Sequence, residues 1–307
     1  LNVQPLPESA RIQIPSAVAE DLLRAAASLP HYENQDFYSF TLQAEVHAAI
    51  RDSVPGSWSE VVGPIRERLA RRPRCALVSG LRFDEGNRLF VALNRELGDL
   101  VARPYEKPRA QLVHYIQPST DITANVGKGF ETERLHTDAA DWHEPVRWLS
   151  MVCVRPDRNG GGVSRFLELE ALVEEATERM DGALLASLES CPVPWQLAPY
   201  LGGGVVWDPV LGNGRLRWRR YTVDAAAREN GLELDAFLVE ALDAFGEVVE
   251  SAASEVHFFM QANELLLMDN QRALHARTPL AAGAEALDRL MIRSWVSHGL
   301  QDPGPAV

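Results

Sequence analysis

The residues best able to do chemistry lie in two short segments far apart in the chain. They are Leu135-His136-Thr137-Asp138 and Leu274-His275-Ala276-Arg277, the second followed by Arg289 and Arg293. Two imidazoles and one carboxylate can occupy one face of an octahedral ion and leave the opposite face open, as in non-haem Fe(II) oxygenases. The two arginines add fixed positive charge suited to an anionic co-substrate. His-x-Asp alone carries little weight, because 8 histidines and 43 acidic residues among 307 give roughly one His-x-(Asp/Glu) by chance. His31-Tyr32-Glu33 is such an instance. It follows Pro30 in a polar stretch, lacks a downstream partner and reads as a solvated loop.

The elements that must position these residues read as strands. Glu264-Leu265-Leu266-Leu267-Met268-Asp269-Asn270 has the apolar run of a buried strand closed by turn residues, and His275 follows shortly after. A ligand pair divided between distant strands suits a barrel, whose closure brings them together. In Asp288 to Val296, period-two alternation puts Arg289, Met291, Arg293 and Trp295 on one face and Leu290, Ile292, Ser294 and Val296 on the other. Arginines on a largely apolar strand need anions. Internal Asp or Glu residues would satisfy that need as well as a ligand would.

This ordered set of motifs resembles the taurine dioxygenase and clavaminate synthase-like family of Fe(II)/2-oxoglutarate oxygenases, over most of the chain. Cys75 to Leu81 and a helix near Asp84 to Val101 resemble the family's early strand and helix. Leu135 to Asp138 resembles its first metal motif, Gly160 to Phe166 the Gly-rich turn and strand that follow, and Met268 to His275 the second metal motif. The resemblance implies a mainly β fold with flanking helices around a double-stranded β-helix (jelly-roll) core. It also implies Fe(II) held by His136, Asp138 and His275, with 2-oxoglutarate and O2 as co-substrates. Arg289 would pair with the distal carboxylate of 2-oxoglutarate, Ser164 would add a hydroxyl contact, and Arg293 would face the substrate. The spacing from His275 to the arginines is similar to the clavaminate branch, whereas Asp in the first motif is similar to the taurine branch. The family commonly has Thr near Ser164 and Gly-Asp where this chain has Asn263-Glu264; Ser keeps the hydroxyl and Asn tolerates positive φ.

Composition narrows the setting. A formal charge of −13 disfavours a nucleic-acid groove, which needs a basic footprint. No apolar run reaches the length of a membrane span, and no basic segment followed by an apolar stretch marks an export signal. Cys75, Cys153 and Cys191 are isolated, apolar-flanked and odd in number, and are expected to be reduced core residues of a cytoplasmic protein. Lys107 and Lys128 are the only lysines, a bias that points to a GC-rich bacterial genome.

Residues 1–307 read as one domain. Helices over Ala17 to Leu29, capped by Ser16, and over Trp58 to Arg71 would buttress the barrel from the N-terminal 74 or so residues. Glu168 to Met180 and Leu234 to Ala253 also have helical spacing. Two segments are candidate lids: Ser119 to Arg134, and Tyr200 to Tyr221 within an insert over about 192–221. Arg215, Arg217, Arg219 and Arg220 around Trp218 read as an alternately exposed basic cluster. Trp142, just past Asp138, is expected in the pocket wall, with Trp207 and Trp218 as further cover for an apolar substrate.

The expected partner is a carboxylate-bearing small molecule derived from an amino acid, free or on a carrier protein, in bacterial specialised metabolism. Hydroxylation is the default outcome, with desaturation or cyclisation as variants. Asp138 argues against halogenation, which requires the carboxylate position vacated for halide. The other readings are a noncatalytic jelly-roll metal sensor and a Zn(II) hydrolase. The hydrolase gives Arg289 no purpose.

Overall fold

The computed structural model describes residues 4–101, 112–118, 133–280 and 288–297. The first candidate lid, Ser119 to Arg134, lies almost wholly outside them. Two short strands, β1 (Gln4–Pro5) and β2 (Arg11–Gln13), precede three helices, α1 (Ser16–Ala27), α2 (Phe40–Ser53) and α3 (Pro55–Ala70). Then come β3 (Cys75–Ser79), α4 (Arg88–Arg95), β4 (Leu100–Val101), β5 (His114–Ile116), β6 (Glu133–His136), β7 (Trp148–Arg155) and β8 (Ser164–Glu168). Helices α5 (Leu169–Arg179) and α6 (Gly182–Ser190) lead to a hairpin of β9 (Val193–Gln196) and β10 (Val205–Asp208). Helices α7 (Arg220–Asn230) and α8 (Ala236–Glu250) follow, and β11 (Val256–Phe258), β12 (Leu265–Asp269), β13 (Ala273–Arg277) and β14 (Leu290–Val296) complete the described elements.

The strands form two mixed sheets that face each other in a jelly-roll and do not close into a barrel. One has the order β1-β11-β8-β13-β6; the other runs β2-β3-β12-β7-β14-β4, with β5 also paired to β14. Period-two alternation then divides the apolar side chains into three cores. On β12 and β14, Leu266, Met268, Met291 and Trp295 point between the sheets, where they meet Phe166 and Phe258 of the opposite sheet. Leu265, Leu267, Ile292 and Val296 point the other way, onto α1 to α4. The smaller sheet turns Leu135, Leu167, Leu274 and Ala276 outward onto α5, α6 and α8. Helices therefore cover both outer faces, which explains why β12 reads as one unbroken apolar run rather than an alternating one.

The helix boundaries shift from their expected places for local reasons. Pro15, not Ser16, is the N-cap of α1, and Ser16 is its first helical residue. The N-terminus of α3 starts at Pro55, whose missing N–H costs nothing in a first turn. Helix α2 has no counterpart in the sequence reading, because a polar residue interrupts its apolar stripe: Gln43, Val46 and Ile50 are buried together. Gln43 is accommodated by donating from Nε2 to the Phe37 carbonyl at 2.6 Å and accepting the Leu100 N–H at 3.1 Å. Cys191 also departs from expectation, being exposed where Cys75 and Cys153 are buried. Burial pushes the thiol of Cys75 up to about 12 and that of Cys153 up to about 11, which keeps both protonated and unreactive.

Glu96 ties α2 and α3 to the C-terminal end of α4. It accepts from His47 Nε2 at 2.8 Å and Trp58 Nε1 at 2.9 Å, and pairs with Arg66. Burial alone would raise its pKa, but these donors and the Arg66 charge outweigh it and hold the carboxyl at about 2. A depressed folded pKa contributes stability above the unfolded value near 4.5, lost as pH falls toward 2. Glu96→Gln is thus expected to cost on the order of 3 kcal/mol at neutral pH. Denaturant midpoints between pH 7 and 3 should fall more steeply for wild type than for the variant; parallel curves would remove Glu96 from the account.

Candidate active site

Strands β6 and β13 are antiparallel neighbours with His136 opposite His275, so direct pairing within one sheet, not barrel closure, joins the two histidines. Their rings stand 4.5 Å apart between centroids. Because Leu135 and Leu274 face outward, both imidazoles face between the sheets. Nδ1 of His136 donates to the Arg134 carbonyl at 2.8 Å, which fixes the tautomer and leaves Nε2 as the lone-pair donor.

Asp138 lies just beyond β6, 1% exposed. Its Oδ1 is 3.4 Å from His136 Nε2 and its Oδ2 is 3.8 Å from His275 Nε2. Trp295 Nε1 at 2.8 Å and Arg293 Nη1 at 3.2 Å both donate to Oδ2. Burial alone would raise this carboxyl's pKa; Arg293 and the two imidazoles overcome it and hold the group well below the usual carboxylate range. The backbone is fixed too. Asn270, fully buried in the turn before β13, accepts the Asp138 N–H at 2.7 Å and donates to the Asp138 carbonyl at 3.1 Å and the Val146 carbonyl at 2.8 Å. The next residue, Ala139, has φ +57°, a left-handed conformation costing an L-residue roughly 1 kcal/mol.

Two imidazole nitrogens and a carboxylate oxygen within 4.8 Å of one another, all of them largely withdrawn from water, are a fitting donor set for Fe(II). Next to them a cleft opens between the sheets. Ser164, Arg165, His275, Arg277, Arg289 and Arg293 contribute its polar groups, and residues such as Leu149, Met151, Phe258, Leu266, Met268 and Met291 its apolar wall. The alternation read from Asp288 to Val296 is therefore realised, with Arg289, Met291 and Arg293 on the cleft side. Arg289 is 6% exposed. Gly162 permits its approach: at φ +69°, a Cβ there would lie 2.8 Å from Leu280 and 3.0 Å from Arg289 Nε.

Several aromatic and cationic residues fall elsewhere than expected. Trp142 is half-buried and packs edge-on against Trp295 at 6.0 Å. Trp218 is buried against Phe245 in the outer core, while Trp207 is 52% exposed on β10. The basic cluster is not a solvated strand: Arg217 is 2% exposed in a loop. It donates to the Ala140 carbonyl, the Trp142 carbonyl and Asp208. His114, unremarked in the sequence, is buried with its ring 4.6 Å from Trp295 and its backbone opposite Arg293. Arg277, two residues beyond His275, also lines the cleft.

Comparison with known proteins places this geometry. A crystal structure of asparagine oxygenase with Fe(II), 3-hydroxyasparagine and succinate superposes with a TM-score of 0.69 at 18% identity, covering 95% of each chain. The non-haem iron oxygenase OrfP, with Fe, succinate and dihydroxy-L-Arg, gives 0.72 at 17%, again over 95% of each. OrfP with Fe and α-ketoglutaric acid gives 0.69 at 19% and the same coverage. No curated protein sequence matches the chain, and among the described residues no helix is long and apolar enough to cross a membrane. The family model of the taurine catabolism dioxygenase TauD, TfdA family matches residues 41–295, and the chain belongs to that family of non-haem Fe(II)/2-oxoglutarate dioxygenases.

Proposed function

We propose that this dioxygenase hydroxylates an amino acid or a carboxylate derived from one, free or carrier-bound, with His136, Asp138 and His275 as the ligands of Fe(II). The observation that carries this reading is the shared cleft, in which Arg289, Arg293 and Ser164 stand with His275 between the sheets. When bound, Fe(II) with 2-oxoglutarate and O2 supplies the oxidising power to functionalise an unactivated C–H bond. The chain's own residues bind, orient and exclude water. Trp295 and Arg293 hold Oδ2 of Asp138, so the carboxylate cannot rotate away from the histidines. Arg289 and Ser164 would take the distal carboxylate of 2-oxoglutarate, and the Met and Leu wall keeps that ion pair dry and therefore strong. The amino acids bound to asparagine oxygenase and OrfP support an amino-acid substrate, as does Arg293 in the lining of the same cleft.

Asp138 supplies an internal anion for Arg293. Arg293 also lines the cleft together with Arg289 and Ser164. Arg293 is accordingly assigned to steady Asp138 and to receive a substrate carboxylate. The test starts from whichever amino acid stimulates 2-oxoglutarate turnover and compares it with its methyl ester. Wild type should bind the acid roughly tenfold or more tightly than the ester, a charge-assisted hydrogen bond being worth about 1.5–3 kcal/mol. Arg293→Ala should erase that preference. Equal binding of acid and ester by wild type would confine Arg293 to Asp138 and end the carboxylate proposal.

A further inference from the structure

The loop between β10 and α7 grips the turn that carries Asp138, and it does so through one buried arginine. Arg217 reaches the Ala140 carbonyl with Nε at 3.1 Å and Nη2 at 2.9 Å, and Nη2 also donates to the Trp142 carbonyl. These carbonyls belong to the turn that opens at Ala139, whose φ of +57° is one that L-residues rarely adopt. Neighbouring bonds bind the same two segments. Thr137 N–H donates to the Trp218 carbonyl at 2.8 Å, Trp218 N–H donates to Thr137 Oγ1 at 3.0 Å, and Ala198 N–H from the end of the hairpin donates to the Asp141 carbonyl at 3.0 Å. Arg217 is itself held in place by Asp208 at 3.3 Å and by the Trp195 ring at 5.1 Å.

We infer that Arg217 is a positioning residue for the metal site, and that the segment expected to be a substrate lid is a fixed bracket. It acts through the Ala139–Trp142 turn, stabilising the left-handed conformation at Ala139 that aims the Asp138 carboxylate at His136 and His275. Asn270 fixes the backbone of Asp138 from one side, and Arg217 fixes the carbonyls that follow it from the other. A planar guanidinium can serve two carbonyls at once; the ammonium of Lys is a point donor on a flexible stem and cannot reproduce that geometry. Burial lowers the pKa of Arg217 to about 10, so the group still carries its charge at neutral pH.

The inference rests on His136, Asp138 and His275 being the metal ligands, and the experiment separates the two ideas. Co(II) titrated anaerobically into metal-free protein reports site geometry and affinity through its visible absorption. Wild type should bind one Co(II), and His275→Ala should not; if wild type binds none, the ligand assignment fails before Arg217 is at issue. Given wild-type binding, Arg217→Lys should stay folded and bind Co(II) about 10–100-fold more weakly, the range for residues that orient metal ligands. Ala139→Gly in the Arg217→Lys background should recover part of that loss, because glycine adopts the left-handed turn unaided. A folded Arg217→Lys protein with wild-type Co(II) affinity would overturn the inference. So would a loss that Ala139→Gly does not touch, or an Arg217→Lys chain that stays unfolded even with saturating Co(II), since the arginine would then hold the fold and not the turn.

Discussion

Replacing His275 by Ala is expected to abolish Fe(II) binding and to reduce 2-oxoglutarate turnover by more than roughly 100-fold, beyond the range seen for residues that only orient ligands. Its ring centroid lies 4.5 Å from that of His136 and its Nε2 is 3.8 Å from Asp138, and among the described residues these three form the one group that could hold a metal ion. The sequence contains its own control. His31-x-Glu33 repeats the spacing of His136-x-Asp138, but both residues of that pair are about 70% exposed, where an ion pair is worth little. His31→Ala should therefore leave Fe(II) affinity and turnover at wild-type values. Anaerobic titration of the two variants side by side reads both expectations, and wild-type Fe(II) affinity in His275→Ala would sink the assignment.

Arg289→Lys should raise the concentration of 2-oxoglutarate needed for half-maximal turnover by about 10–100-fold. A charge-assisted, two-point contact in a poorly hydrated site is worth a few kcal/mol, and a lysine keeps the charge while losing the fork. Gly162→Ala should give a milder version of the same defect, since its Cβ would have to displace Leu280 or the Arg289 side chain. The measurement is steady-state turnover against 2-oxoglutarate at saturating amino acid, and then the reverse. An unchanged 2-oxoglutarate requirement with collapsed substrate binding would show that the roles of Arg289 and Arg293 are exchanged.

What could be seen in the sequence was what local periodicity encodes. Alternation from Asp288 to Val296 placed Arg289 and Arg293 on the cleft side, and the apolar run before Asn270 marked the buried strand β12. Asn263, standing where a Gly is common, does hold positive φ, at +66°. What stayed hidden depends on partners far along the chain. Asn270 and Asp138 are 132 residues apart, and Trp295 and Asp138 are 157 apart. No spacing rule announces that an Asn side chain will satisfy a metal ligand's backbone, or that an indole will donate to its carboxylate. Arg217 misled for a related reason. Among Arg215, Arg219 and Arg220 it looks like one of a solvated set, and only the carbonyls of a turn 77 residues upstream explain its burial. His114 shows the same limit, since its neighbours on β14 come late in the chain.

The most direct test of the account is succinate formation. Protein reconstituted anaerobically with Fe(II), then given 2-oxoglutarate, O2 and a panel of amino acids and their derivatives, is expected to form one succinate per 2-oxoglutarate consumed. At least one amino acid should stimulate that rate and gain a single oxygen atom, and His275→Ala should do neither. Tight, stoichiometric Fe(II) binding without succinate under any of these conditions would contradict the account and identify a jelly-roll that holds its metal without turning over.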